Sequence, residues 1–215
     1  MYQWIDWAEG VQTAFVSSDV FRRIAARYWG SELAADFSSY EGKALAAKKI
    51  QDRQSVRESL IFCDIAIGWT AAVRDSEDHV GDPSLDSRML SAVTGREIGE
   101  EGLYQIGERI FNLQRAILAR EGHVGRESDR LDEAFHTRPL RQVALNDGVL
   151  APGKDGELIS RRGVVVDKDG FEAMKDEYYG LRGWDVGGGL QTREKLVGLG
   201  LSDIVPELER RGFVV

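Results

Sequence analysis

Apolar residues recur at helical spacing along most of the chain. The clearest case is the stretch 100–122, in which five large apolar residues follow one another at steps of three or four positions. This spacing predicts one long amphipathic helix that ends at Gly122 in a left-handed turn. The predicted packing stripe consists of Leu103, Ile106, Ile110, Leu113 and Ile117.

Shorter helices are predicted on both sides of this stretch. One is capped by Ser18 or Asp19, ends at Gly30, and packs through Val20, Phe21, Ile24 and Tyr28. A second helical region runs from Tyr40 towards Cys63, and its polar middle, 48–54, is expected on the surface. Three short helices follow residue 170, with Thr192 and Ser202 as expected caps and Pro206 in a first turn.

One segment, 145–170, departs from helical spacing. It contains Asp-Gly pairs typical of tight turns and the β-branched run Val164–Val166. A hairpin or two short strands would fit these features. The predicted fold class is therefore mainly α, a multihelical domain with a small β-hairpin insertion. Because composition nowhere shifts sharply, residues 1–215 are expected to form one domain.

Composition narrows the classes of partner. The chain has 215 residues, 42% of them hydrophobic and 30% charged, and a formal net charge of -8. A negative chain of this kind is not expected to bind nucleic acid or an anionic membrane surface. The longest apolar run, 60–73, is interrupted by Asp64 and is too short to span a bilayer. With one cysteine and no signal-peptide pattern at the start, a cytoplasmic location is expected.

No catalytic or metal site can be assigned from residue spacing alone. The three histidines have no partner at the spacing of two ligands on one helix face, and a G-x-S-x-G elbow is absent. The glycine cluster 186–189 lacks the context of a dinucleotide-binding loop and is interpreted as a turn. Cys63, the only thiol, is either a packed core residue or a ligand, and composition leaves both interpretations open.

Three stretches, taken together, resemble the C-terminal domain of the tungsten- and molybdenum-containing aldehyde ferredoxin oxidoreductases. The stretch 103–122 is similar to that family's G-E-R-I-x-N-L-x-R helix, and 176–201 is similar to its D-E-Y-Y-x-x-R-G-W-D ending. The opening part, 37–44 followed by 57–64, is similar to its S-Y-x-G-K-A and D-S-L-G-L-C segments. The order and spacing of these stretches agree along nearly the whole chain.

The resemblance implies a cofactor-facing segment. By position, Cys63 is the cysteine that serves as one of four thiolates on a [4Fe-4S] cluster, and Glu58 is the acid that contacts the tungsten or molybdenum pterin. Ile61 and Phe62 stand where the family motif has glycine and leucine, so they also face the pterin. A β-branched residue in place of glycine is expected to obstruct a close backbone approach to the cofactor.

Two functions follow as hypotheses. The first is the C-terminal domain or subunit of an enzyme that oxidises aldehydes to carboxylic acids and passes electrons to ferredoxin. Because the cluster needs four thiolates, the catalytic N-terminal and middle domains, or a separate chain carrying them, would have to complete it. The isolated chain is then expected to be inactive and free of bound cofactor, with exposed apolar residues at Phe62, Ile65 and Trp69. The alternative is a cofactor-free helical interaction module, and a homo-oligomer through the same surface also stays open.

Overall fold

The computed structural model of the protein describes residues 17–62, 76–142 and 148–215. It confirms the predicted fold class, since helices dominate and a single two-stranded antiparallel hairpin interrupts them in these ranges. The helices are α1 (Ser18–Trp29), α2 (Lys43–Ser59), α3 (Leu85–Thr94), α4 (Glu100–Arg120), α5 (Gly125–Ser128), α6 (Ala134–Thr137), α7 (Lys168–Arg182), α8 (Arg193–Gly198) and α9 (Val205–Arg210). A 3₁₀ turn occupies Glu32–Ala35, and the strands are β1 (Leu150–Pro152) and β2 (Leu158–Ser160).

Helix α1 begins one residue earlier than its predicted caps. The hydroxyl of Ser17, rather than Ser18 or Asp19, accepts a hydrogen bond from the backbone N–H of Val20 at 3.2 Å. Gly30 ends the helix in the left-handed region, with φ 86°, as predicted. The predicted apolar face is buried and forms one core with Ala34, Ala35 and Val80.

The hairpin forms where turn chemistry predicted it, but it does not include the valine run. Asp155 and Gly156 lie in the turn between β1 and β2, and Ala151 pairs with Ile159. Val164–Val166 instead lies beside the segment 134–142 and makes isolated backbone hydrogen bonds with it. The three valines have the β-branched side chains that favour a strand, but no neighbouring strand in the described ranges lies in register with them. They therefore form no strand.

Helix α4 has the predicted bounds but not the predicted packing stripe. Leu103 is buried, whereas Ile106 and Ile117 are 40% and 44% exposed. The buried positions of the second half are small or polar, and Ala116 joins a C-terminal core of Leu196, Leu201, Val205, Leu208 and Val214. Because α2 contacts the first half of α4 at Gly107 and the C-terminal core contacts its second half at Leu113 and Ala116, no single apolar stripe describes the packing.

Helices α2 and α4 touch through their backbones at Gly107. A Cβ atom at this position would lie 2.0 Å from the carbonyl oxygen of Asp52, which is far inside van der Waals contact. The contact also corrects the expectation that 48–54 lies on the surface at one position, Asp52, which is almost completely buried, whereas Ile50 is exposed and the other five residues are half-buried. Glycine at position 107 is therefore a condition for the close approach of the two helices.

A buried ion pair holds α2 against α7. Nη1 of Arg182 donates to Oδ1 of Asp52 at 2.5 Å, and Nζ of Lys48 donates to Oδ2 at 3.0 Å. The Arg182 guanidinium also donates to the side chain of Gln51 at 2.9 Å and lies 4.1 Å from the ring centroid of Phe111 on α4. Both charges are thus paired and hydrogen-bonded, which is what makes their burial tolerable.

Glu108 extends this network to α8. Its Oε1 lies 3.1 Å from Nζ of Lys48 and 2.8 Å from Nζ of Lys195. Burial raises the pKa of the Glu108 carboxyl, but the hydrogen bonds and charges of Lys195 and Lys48 outweigh burial and hold the pKa below its ordinary value. The ionised carboxylate therefore contributes to stability.

Replacing Gly107→Ala is expected to lower the free energy of unfolding by about 3 kcal/mol, because the methyl group forces the backbones of α2 and α4 apart. Gly102→Ala is the matched control on the same helix, since its Cβ would meet only Ile98 at 3.6 Å. The control should be neutral or stabilising by up to about 1 kcal/mol, because alanine favours the helix. Urea unfolding followed by circular dichroism measures both; equal effects would contradict the proposed backbone contact.

Glu108→Gln is expected to cost about 2 kcal/mol at pH 7, because two lysines lose their shared charge partner. A carboxyl whose folded-state pKa is lowered contributes fully above its unfolded pKa and loses that contribution as pH falls through the folded value. The difference in unfolding free energy between the two proteins should therefore shrink below about pH 4.5. Glu177→Gln, exposed in the interior of α7, is the control and should leave the free energy of unfolding within about 0.5 kcal/mol of the unsubstituted protein.

Candidate cofactor edge at the end of helix α2

Helix α2 ends in a regular hydrogen-bonded turn immediately before Cys63. The backbone N–H of Ile61 donates to the carbonyl of Glu58 at 3.1 Å, and that of Phe62 donates to the carbonyl of Arg57 at 2.9 Å. These two bonds define a Schellman motif, in which the residue after the cap adopts a left-handed conformation. The residue in that position is Ile61.

Ile61 holds a backbone conformation that suits glycine. Its φ is 59°, in the left-handed region, and its side chain is 90% exposed. For a β-branched residue this conformation is a genuine outlier and costs about 1–2 kcal/mol. Since the resemblance placed a motif glycine at this position, the chain keeps a glycine-type turn without the glycine.

The predicted site residues that the structure describes share this turn. Glu58 is exposed, and its Oε1 accepts a hydrogen bond from Nε2 of Gln54 at 3.1 Å. Phe62 is half-buried, with its ring centroid 5.6 Å from the guanidinium carbon of Arg57. The predicted metal ligand Cys63 lies outside the described residues, as do Ile65 and Trp69 of the expected apolar surface. The turn therefore brings Glu58, Ile61 and Phe62 together, with Glu58 and Ile61 open to solvent.

A buried charge cluster behind the turn was missed by sequence reasoning. Nη1 of Arg57 donates to both carboxylate oxygens of Asp86 on α3, at 3.0 and 2.9 Å, and Nη2 of Arg53 donates to Oδ2 at 2.9 Å. All of Asp86 and nearly all of Arg57 are buried. The sequence signal for this cluster is the spacing of Arg53 and Arg57, which lie four residues apart on one helix face. Two positive charges at this spacing repel each other, so the pair indicates a shared anionic partner.

The cluster fixes the direction in which the helix ends. Because Asp86 binds α2 one turn and two turns before Ile61, the last turn of α2 is held against α3. The pairing is buried, so water screens it little. Glu58 and Ile61 are thereby presented on a supported helix end.

Metal-ligating side chains do not converge elsewhere within the described ranges. Those residues contain no group of three or more His, Cys, Asp or Glu side chains that could hold a metal ion. Nor does any helix among them have the length and hydropathy to cross a bilayer. The chain as a whole has one cysteine, so it can supply a single thiolate.

The residues that carry the other resemblances hold helices together. Oδ1 of Asn112, fully buried on α4, accepts hydrogen bonds from Nε1 of Trp184 at 2.9 Å and Nε2 of Gln191 at 2.8 Å. Arg115 donates two hydrogen bonds to the carboxylate of Asp129, at 2.7 and 2.6 Å. These contacts join α4 to three segments that follow it in the sequence, so the motif residues are a fingerprint of the fold.

Fold and site together define a multihelical domain with a supported, solvent-facing helix end that leads to a single cysteine. The chain matches the family described as aldehyde ferredoxin oxidoreductase, domains 2 & 3, over residues 8–201. The match covers most of the chain, and the protein belongs to this family. The resemblance stated from the three sequence stretches is thereby confirmed.

Ile61→Gly is expected to raise the free energy of unfolding by about 1 kcal/mol, because glycine adopts φ 59° without steric cost. Ile50→Gly, in the interior of the same helix, should lower it by at least about 1 kcal/mol, because glycine there loses helix propensity and apolar contacts. Chemical denaturation measures both changes in the free energy of unfolding. A gain for Ile61→Gly and a loss for Ile50→Gly would confirm the backbone strain at Ile61. A destabilised Ile61→Gly protein would refute it.

Proposed function

We propose that residues 1–215 act as the C-terminal domain or subunit of an aldehyde ferredoxin oxidoreductase-like enzyme. In this proposal Cys63 supplies one thiolate of a [4Fe-4S] cluster, and Glu58, Ile61 and Phe62 face the pterin. The proposal rests on the glycine-type turn at Ile61, which leads directly to Cys63 in a chain that belongs to this family.

The residues of this chain could supply one cluster ligand and one face of the pterin site. Thiolate sulfur is the ligand that iron-sulfur clusters require, and one exposed carboxylate can accept hydrogen bonds from a pterin ring. Glu58 is exposed, and within the described ranges Gln54 alone donates to its Oε1, at 3.1 Å, so a cofactor donor can replace that surface contact. The exposed Ile61 side chain would lie at the edge of the same contact.

The bound cofactors would supply the two-electron oxidation of an aldehyde to a carboxylic acid and the electron path to ferredoxin. The role of this chain would be to hold one cluster ligand and one face of the pterin. Arg57 and Asp86 would act as positioning residues, since they hold the end of α2 without contacting the cofactor. Substrate chemistry would fall to residues outside this sequence.

Residues 1–215 cannot complete the cluster by themselves. A [4Fe-4S] centre takes four cysteine thiolates, and this sequence has one. The remaining three would come from catalytic N-terminal and middle domains of the same family, or from a separate chain that carries them. We infer that the isolated chain does not oxidise aldehydes. The complete enzyme would act in the cytoplasm, with ferredoxin as its electron acceptor.

A second candidate function is a cofactor-free helical interaction module. The exposure of Ile61, together with that of Ile106 and Ile117 on α4, favours it, because exposed apolar side chains gain from being covered by a protein partner. Both functions predict a partner. They differ in whether the assembled complex contains iron.

The test is co-expression with a chain that contains a C-x-x-C-x-x-x-C segment, followed by metal analysis of the purified complex. The wild-type complex should contain about four iron atoms per copy of the complex. It should also show the absorption and the electron paramagnetic resonance of a reduced [4Fe-4S] centre. Cys63→Ala should lose iron and alter that resonance, while co-purification with the partner is retained. Thr94→Ala, exposed at the end of α3, is the control and should change neither readout.

Two outcomes would decide against the first function. A complex that assembles but carries neither iron nor tungsten nor molybdenum would assign the chain to the interaction module. An unchanged cluster in the Cys63→Ala complex would show that Cys63 is not a ligand. Failure of Cys63→Ala to assemble would be resolved by Cys63→Ser, which keeps the size of the side chain and replaces only the sulfur.

A further inference from the structure

A cleft of about 1100 Å³ lies near the beginning of α2, beside the turn 37–43. Its other wall is formed by the segments 134–142 and 161–166, which are joined where Leu140 N–H donates to Val164 at 2.9 Å and Gly163 N–H donates to Leu140 at 2.8 Å. The turn is fixed by the hydroxyl of Tyr40, which donates to the carbonyl of Asp167 at 3.2 Å. Both walls are therefore held by tertiary hydrogen bonds.

The cleft is separate from the cofactor edge. It contacts the first residue of α2, Lys43, whereas Ile61 follows the last residue of that helix, so a helix length of about 25 Å lies between them. A ligand here would not depend on Cys63 or on the cofactors of the proposed function.

The lining exposes large apolar side chains. Phe135 is 56% exposed, and Leu140 and Val165 are also exposed. Half-buried apolar residues continue the same surface, namely Phe37, Val164, Val166 and Met174. A group of this kind on a protein surface is typical of a binding site, because covering it removes apolar area from water.

The charged residues that line the cleft have one sign in the ranges that the structure describes. Lys43, Arg138, Arg141 and Arg161 line it there, and no described aspartate or glutamate does, in a chain with 36 acidic and 28 basic residues. Nζ of Lys43 donates to backbone carbonyls at Leu33 and Asp36. The other three cations make no side-chain hydrogen bond or ion pair in the part of the chain that the structure describes. The cleft therefore offers three guanidinium groups without a counter-charge.

We propose that this cleft binds a carboxylate with an extended apolar body, of the class of a medium-chain fatty acid. A guanidinium group matches a carboxylate with two parallel hydrogen bonds, and the apolar wall covers a hydrocarbon chain. A neutral amphiphile leaves the guanidinium groups without an anion, and a small anion leaves Phe135 and Leu140 exposed. Only a ligand with both parts satisfies both features of the lining.

Isothermal titration of the full chain with decanoate, 1-decanol and acetate tests the proposal. Decanoate should bind at one site per chain, at least about tenfold more tightly than decanol, since it alone pairs with the guanidinium groups. Acetate should not bind at millimolar concentration. The double substitution Arg138→Gln with Arg161→Gln should weaken decanoate about tenfold and leave decanol unchanged.

Arg96→Gln is the matched control, because Arg96 is exposed, lies outside the cleft, and its guanidinium makes no hydrogen bond or ion pair with another described residue. It should retain the wild-type affinity for decanoate. Leu140→Asp should abolish binding by placing a negative charge on the apolar wall. Thermal unfolding by circular dichroism verifies that each variant folds.

Several results would overturn the proposal. Equal affinity for decanoate and decanol would reduce the cleft to an apolar groove, and an equal loss in Arg96→Gln would indicate attraction by net charge alone. Absence of decanoate binding at millimolar concentration would reject the site. Displacement of decanoate by a lower concentration of a ten-residue peptide of alternating glutamate and leucine would assign the cleft to a protein segment instead.

Discussion

The buried ion pair between Asp52 and Arg182 is the interaction on which the arrangement of the long helices depends. It joins α2 to α7, and the guanidinium of Arg182 lies over Phe111 of α4, so three helices meet at one point. Removal of Asp52 would leave the buried Arg182 guanidinium without its anionic partner, which costs about 3–5 kcal/mol in typical proteins. The pair can form at this depth because Gly107 lets the backbones of α2 and α4 touch.

The same helix carries the candidate site at its other end. Asp52 holds the middle of α2, and Asp86 holds its last two turns through Arg53 and Arg57, so the direction of the helix end is determined from both sides. Rigid support of this kind explains how the left-handed conformation of Ile61 persists in spite of its cost, since strain survives only where the surroundings over-determine it. The turn before Cys63 is therefore a property of the whole domain.

Most helices and several of their ends could be predicted because their signals are local; the expected Ser202 cap is wrong, since α9 begins at Val205 with Ile204 in the N-cap position. Gly30 ends α1, Thr192 caps α8 and Pro206 lies in the first turn of α9, each through a hydrogen bond or backbone restriction within four residues. The packing faces could not be predicted in the same way. The apolar stripe of α4 leaves Ile106 exposed because small and polar residues meet the neighbouring helices, and the partner of Asp52 lies 130 residues further along the chain.

The sequence by itself determined the mainly helical class, the family, the single thiol at position 63 and the residues of its motif. Tertiary structure alone decided that Asp52, within the polar stretch 48–54, is buried, that Arg57 is paired with Asp86, and that three segments distant in sequence form one cationic cleft. The physical reason is the distance along the sequence over which each effect acts. Periodicity, capping and turn chemistry act within a few residues, whereas burial of a charge and the shape of a cleft depend on which distant side chains packing brings together.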